Sequence, residues 1–192
     1  MTGPLPTWDE SARPTTTTYD DADPGAVARG DHLRQIHDMY RQGLDQVAAA
    51  LDTAVAARDD EAASATALGE ARSGIHALGA PVRTAGSWCG QLCRAVEQHH
   101  RIEDAVLYPA LRAADDGLAA VLDRLGEEHD VVHALLGRLD DALVVVAREP
   151  GDPAHLDALV KVYGHFRTLL ESHFRYEESQ IGTALGVHHV MV

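Results

Sequence analysis
The chain has 192 residues, 45% of them hydrophobic, with a formal net charge of −14. That is enough for one domain with a proper core and too apolar for an intrinsically disordered chain. A surface this acidic repels phosphate, so neither nucleic acid nor an anionic membrane is expected as a partner.

No apolar run approaches the roughly 18 residues of a membrane span. The N-terminus is polar and carries Pro4, Pro6 and Pro14 instead of a signal-peptide core. Cys89 and Cys93 are the two cysteines, read as small buried apolar residues and not as a disulfide framework. A reducing, cytoplasmic setting is the expectation. The 12 histidines stand out and point to metal or proton chemistry.

Residues 1–25 lack periodicity and read as a flexible tail. From Ala26 a helical pattern begins, with Leu33, His37, Leu44, Leu51 and Val55 on one face. It fades near Arg58, Asp59 and Asp60, and residues 59–80 are ambiguous. Pro81 opens a second predicted helix. Its inner face carries Trp88, Leu92, Val96, His99, Glu103, Val106 and Ala110, and Pro109 is expected to bend or end it. After a turn at Asp115, Asp116 and Gly117, a third helix aligns Leu118, Leu122, Leu125, His129, His133 and Leu136. Glu149 to Pro153 break the pattern; Asp152 suits an N-cap and Pro153 a first turn. The fourth helix runs to about Leu185, with Val162, Phe166, Leu169, His173, Glu177 and Ala184 on one face. The expected architecture is an all-α, up-down-up-down four-helix bundle over residues 26–186, with an irregular N-terminal tail and a short C-terminal tail at 187–192.

Residues four apart share a helix face. Such pairs occur at His99 with Glu103, His129 with His133, and His173 with Glu177, each inside an apolar stripe, and the first helix adds His37 on its own apolar face. Imidazoles and carboxylates aimed into a core are costly unless paired. A metal site satisfies them all, and bundle cores hold such sites. This donor set is too large for one tetrahedral zinc, whereas two ions sharing bridging carboxylates account for it and leave an open position. Imidazole together with carboxylate makes iron the best compromise.

The order His, HxxxE, HxxxH, HxxxE resembles the hemerythrin and HHE cation-binding family. IHDMYRQGL (36–44), HHRIEDAVLYPAL (99–111), EEHDVVHALL (127–136) and SHFRYEE (172–178) are similar to its four helix signatures, over about residues 30–185. The resemblance implies a non-haem centre of two iron ions, oxo- or hydroxo-bridged, that binds oxygen. Carried over by motif, His37, His99, His129, His133 and His173 are terminal ligands and Glu103 and Glu177 bridges. Oxygen-carrying members have Asp five residues after the last His; here Glu177 stands at four and Glu178 at five, and Glu177 matches the HHE variant.

His32 competes with His37, but five residues turn a helix by ~500°, so the two face apart. His37 shares its face with the leucines and is preferred. His100, ~100° round from His99, reads as a supporting or surface residue. His76 is placed outside the centre, His165 reads as a surface residue and Tyr40 as a packing residue, both being candidates over the open site, and Tyr108 and Tyr163 have weaker claims. His188 and His189 read as a frayed terminus. A His-rich centre favours reversible binding of O2, or peroxide or NO handling, over substrate hydroxylation. The remaining alternative is iron homeostasis.

Overall fold
The structure is a computed structural model that describes residues 3–16, 18–56, 89–149 and 152–190. It is an all-α helical bundle with an irregular N-terminal stretch, as the apolar periodicity predicts. Helix α1 spans Pro24–Ala56 and α2 spans Cys89–Ile102. A π turn, Glu103–Leu107, joins α2 to α3, Tyr108–Ala114. Helix α4 spans Ala119–Arg148 and α5 spans Pro153–Val187. The ambiguous segment at 59–80, His76 and Trp88 lie outside the described residues, as do the side chains of Cys89 and Cys93.

Local chemistry sets the helix ends. Asp23 caps α1 by accepting from the backbone N–H groups of Gly25 (2.8 Å) and Ala26 (3.1 Å) through Oδ1. Pro24 therefore begins the helix two residues before Ala26. Asp152 caps α5 in the same way, accepting from Ala154 N–H at 2.9 Å. At the far end, His188 is held and not frayed. The Tyr19 hydroxyl donates to Asp115 Oδ2 (2.5 Å) and lies 2.8 Å from His188 Nε2, which donates to it in turn.

The π turn corrects the expected face of the second helix. Val106 is 61% exposed, whereas Leu107, Tyr108 and Leu111 are buried. The Tyr108 N–H donates to Glu103 C=O, five residues back, so one extra residue enters the turn and the inward face shifts by one position. Pro109 then falls in the first turn of α3, where its missing N–H costs nothing, and the helix continues to Ala114 instead of ending.

The described residues fall into two compact units, and each long helix contributes to both. One takes the described parts of Met1–Leu5, Tyr40–Val96 and Ala134–Thr168. Its core includes Leu44, Leu51, Val96, Leu135, Leu159 and Phe166. Within it the Tyr163 hydroxyl donates to Leu44 C=O at 2.5 Å.

The other unit takes the described parts of Pro6–Met39, Glu97–His133 and Leu169–Val192. Here α1 and α5 run antiparallel, because Ala26 meets Gly186, Gly30 meets Gly182 and His37 meets Glu178. Similarly, α2 and α4 are antiparallel: His100 faces His133 and Asp104 faces His129. Leu33, Leu107, Leu118, Leu125 and Ile181 form an apolar cluster in this unit. The stretch expected as a flexible tail is tied down in part. The Tyr176 hydroxyl donates to Pro14 C=O (2.7 Å), and Thr16 N–H donates to Gln180 Oε1 (2.7 Å).

Candidate metal centre
In the second unit the inward faces of α1, α2, α4 and α5 bring buried imidazoles and carboxylates together. Two groups form, each with one donor atom per residue within 4.8 Å of the others. His37, His99, Glu103 and Glu177 make one; His100, His129 and His173 make the other. The glutamates link them, with Glu103 Oε2 3.6 Å from His129 Nε2 and Glu177 Oε2 3.9 Å from His173 Nε2.

Six of the seven residues singled out from the sequence are therefore brought together: His37, His99, Glu103, His129, His173 and Glu177. His133 is only half-buried and stands outside both groups, 3.3 Å from His100 Nδ1. His100 is not a surface residue: it is 0% exposed. The competing His32 is exposed, whereas His37 is fully buried. Tyr40 and His165 belong to the other unit, and the Tyr40 hydroxyl donates to Ala95 C=O at 3.3 Å.

The imidazoles share a pattern. His37 Nδ1 is paired with Glu178 (2.8 Å), His129 Nδ1 with Asp104 (2.9 Å) and His173 Nδ1 with Glu128 (3.2 Å). A carboxylate accepting from Nδ1–H fixes the tautomer, leaves Nε2 with a bare lone pair and holds the ring's orientation. Glu178 is thus on the far nitrogen of His37, while Glu177 Oε2 lies 3.3 Å from its Nε2.

Glu128 is in turn gripped by the N-terminal stretch. Arg13 donates to it through Nε (2.7 Å) and Nη2 (2.8 Å) and to Ser172 Oγ through Nη1 (2.9 Å). The guanidinium lies over the Tyr176 ring at 4.6 Å, and Arg124 adds a bond to Glu128 at 3.0 Å.

The electrostatics follow from burial. Burial pushes the Glu103 carboxyl well up, helped by the neighbouring Glu177 charge. Glu177 is also penalised by burial, but the His37 ring beside it outweighs this and holds it low. For His37 burial opposes protonation, yet the neighbouring carboxylates of Glu177 and Glu178 prevail and raise it. Burial lowers His99 to about 3 and depresses His100 and His173 as well. His99, His100 and His173 are thus held as neutral imidazoles, the state in which a ring can ligate a cation.

The decisive observation is what remains unsatisfied. Both oxygens of Glu103, Glu177 Oε2, His100 Nε2 and His173 Nε2 are buried and make no hydrogen bond. A buried polar atom left in that state costs about 1–3 kcal/mol, so a cluster of them needs a reason. A bound cation supplies it, and these donors suit one. A profile of the hemerythrin HHE cation-binding domain matches residues 30–185. The chain belongs to the hemerythrin HHE cation-binding family. No curated protein and no solved structure matches it. As a hemerythrin-family chain it is a helical metal-binding protein, and the orphaned donors fit that membership. No helix among the described residues is long and apolar enough to cross a membrane.

Several residues of this hemerythrin-like centre were given little weight or missed in the sequence. Tyr108 is one: its hydroxyl donates to Glu177 Oε1 at 2.8 Å and sits 3.3 Å from His129 Nε2. The π turn hides it, because regular helical phase would turn Tyr108 away from His99. Asp104 and Glu128 had a signal that went unused, and Glu178, weighed against Glu177 in the sequence, pairs with His37 Nδ1. Each is next in the chain to a candidate ligand and serves a histidine on a neighbouring helix. Arg13 had none, since nothing periodic marks its stretch.

Proposed function
We propose that the protein is a non-haem di-iron protein that binds O2 or a related small molecule in its bundle. The observation that carries this is the convergence of buried imidazoles with two carboxylates, three of whose four oxygens lack hydrogen bonds. His37 and His99 hold one ion, His129 and His173 the other, and Glu103 and Glu177 bridge. His133 is the remaining histidine of the family pattern. Two ions bridged by carboxylates and rich in imidazole supply an open position for a small exogenous ligand. Glu178, Asp104 and Glu128 orient the rings so that each presents Nε2 inward.

A crevice of about 80 Å³, lined in part by Gly30, Arg34, Glu178 and Gly182, reaches Glu178 beside His37.

The test is elemental analysis of protein from iron-supplemented cells, followed by optical spectra. Two iron per chain and a visible band that rises on aeration and vanishes under argon are expected. One zinc per chain, or irreversible bleaching, overturns the reading.

One observation favours a second role, in peroxide handling. The Tyr108 hydroxyl is the protic group inside the centre, and burial with the Glu177 and Glu103 charges keeps it protonated. It would hold a proton beside Glu177 and His129, where two bound ions would supply peroxide chemistry. Metal-dependent oxygen evolution from hydrogen peroxide in an oxygen electrode is then expected, and its absence removes this role.

A further inference from the structure
We propose that His100, and not His133, completes the ligand set of the second ion, and that His133 is a positioning residue for His100. The inference rests on the di-iron reading above and reassigns one of its ligands.

His100 is fully buried, and its Nε2 makes no hydrogen bond. One of its ring nitrogens lies within 4.8 Å of those of His129 and His173, a group that does not include His133. Metal–nitrogen bonds of about 2.1 Å hold donors no more than about 4.2 Å apart, so this group needs only a small contraction around an ion. The His100 and His129 rings lie face to face, centroids 3.9 Å apart and planes 6° from parallel, so the two rings must tilt for their in-plane lone pairs to meet at one ion. It meets the His173 ring edge-on at 5.3 Å. His133, one helical turn from His129 on α4, has its ring centroid 6.4 Å away.

The hydrogen bonding of His100 repeats that of its neighbours. His37, His129 and His173 each engage a partner through Nδ1. His100 does the same, with His133 Nε2 as the partner at 3.3 Å. A His100 Nδ1–H donated to His133 leaves Nε2 bare, which is the ligating tautomer. His133 therefore occupies the place that Glu178, Asp104 and Glu128 occupy for the other rings. Shared helix face, the basis for choosing His133, misses this, because the contact that matters crosses between helices.

The two roles separate in metal binding. Wild type, His100→Gln and His133→Ala are loaded anaerobically with Fe(II), and bound iron is counted and competed with a chelator. Two equivalents are expected for wild type and one for His100→Gln. His133→Ala should keep two, with the weaker one released roughly 10–100-fold more readily. Two equivalents in His100→Gln, or one in His133→Ala, overturns the assignment. Fewer than two in wild type overturns the di-iron reading and this inference with it, so the two failures are distinct.

Should His100→Gln lose its helical circular dichroism, the wild type decides. In Zn(II)-loaded, nitrogen-15-labelled protein, His100 Nε2 should carry the metal-bound imidazole shift and His133 should not. The reverse pattern refutes the proposal.

Discussion

Gly30 gives the sharpest test of how the second unit is assembled. Helices α1 and α5 cross there so closely that a Cβ on Gly30 would stand 2.6 Å from Gly182 C, and nearer still to its oxygen. Carbon atoms rest about 3.5–4.0 Å apart, so Gly30→Ala must part the helices by about 1 Å or more. The obstacle is backbone and not a flexible side chain, so it cannot swing aside. Overpacking of this kind costs about 1–3 kcal/mol, set against the about 1 kcal/mol that alanine gains over glycine inside a helix. Because the clash is with backbone, the cost falls in the upper part of that range, about 2–3 kcal/mol, and the resulting net loss of about 1–2 kcal/mol lowers the melting temperature by about 2–8 °C for a chain of this size. The assay is thermal unfolding followed by circular dichroism, with Gly182→Ala as control. A Cβ on Gly182 meets nothing within 4 Å, so that variant should melt at or slightly above wild type. His37 lies two helical turns beyond Gly30 and meets Glu178 across the same helix pair, so Gly30→Ala should also weaken iron binding. A Gly30→Ala protein as stable as wild type, or a Gly182→Ala protein equally damaged, refutes the close-crossing argument.

Other outcomes can be measured directly. Glu178→Ala should keep both metal equivalents but bind iron roughly 10–100-fold more weakly, read by chelator competition, because His37 loses the acceptor on its Nδ1. Burial alone raises the Glu128 carboxyl, but hydrogen bonds from His173 and Arg13 outweigh it and hold it at about 2, below the ordinary 4.5. Its stabilising contribution is therefore present above pH 4.5 and is lost as pH falls toward 2. Acid unfolding of Glu128→Gln should show a shallower loss across that window, and an unchanged acid limb counts against the network. Arg13→Ala leaves the buried Glu128 with Arg124 as its remaining arginine partner, so it should destabilise, by less than the about 3–5 kcal/mol of a fully broken buried pair. Denaturant titration measures this, and no change would mean the N-terminal stretch does not hold the centre. Tyr108→Phe strips the hydroxyl from Glu177 and should lower any peroxide-dependent oxygen evolution by about 100-fold or more, if Tyr108 supplies the proton.

Much of the centre was written in the spacing of the chain. Apolar residues recurring at three and four positions predict helices, and histidine or glutamate inside those stripes is expected to face inward. His37, His99, Glu103, His129, His173 and Glu177 follow from that local rule, since helical phase depends on residues a few positions apart. Phase also separated His37 from the exposed His32. Three things depended on contacts distant in sequence. The extra residue in the Glu103–Leu107 turn reset the phase after His99, burying Tyr108 and turning Val106 outward. The approach of α2 to α4 placed His100 against His129, across 29 residues of chain, and left His133 at the margin. The pairing of Arg13 with Glu128 joins residues 115 positions apart, with no periodic signal at Arg13 to announce it. Sequence determines which face a side chain takes on its own helix; only packing between helices decides which side chain it meets there.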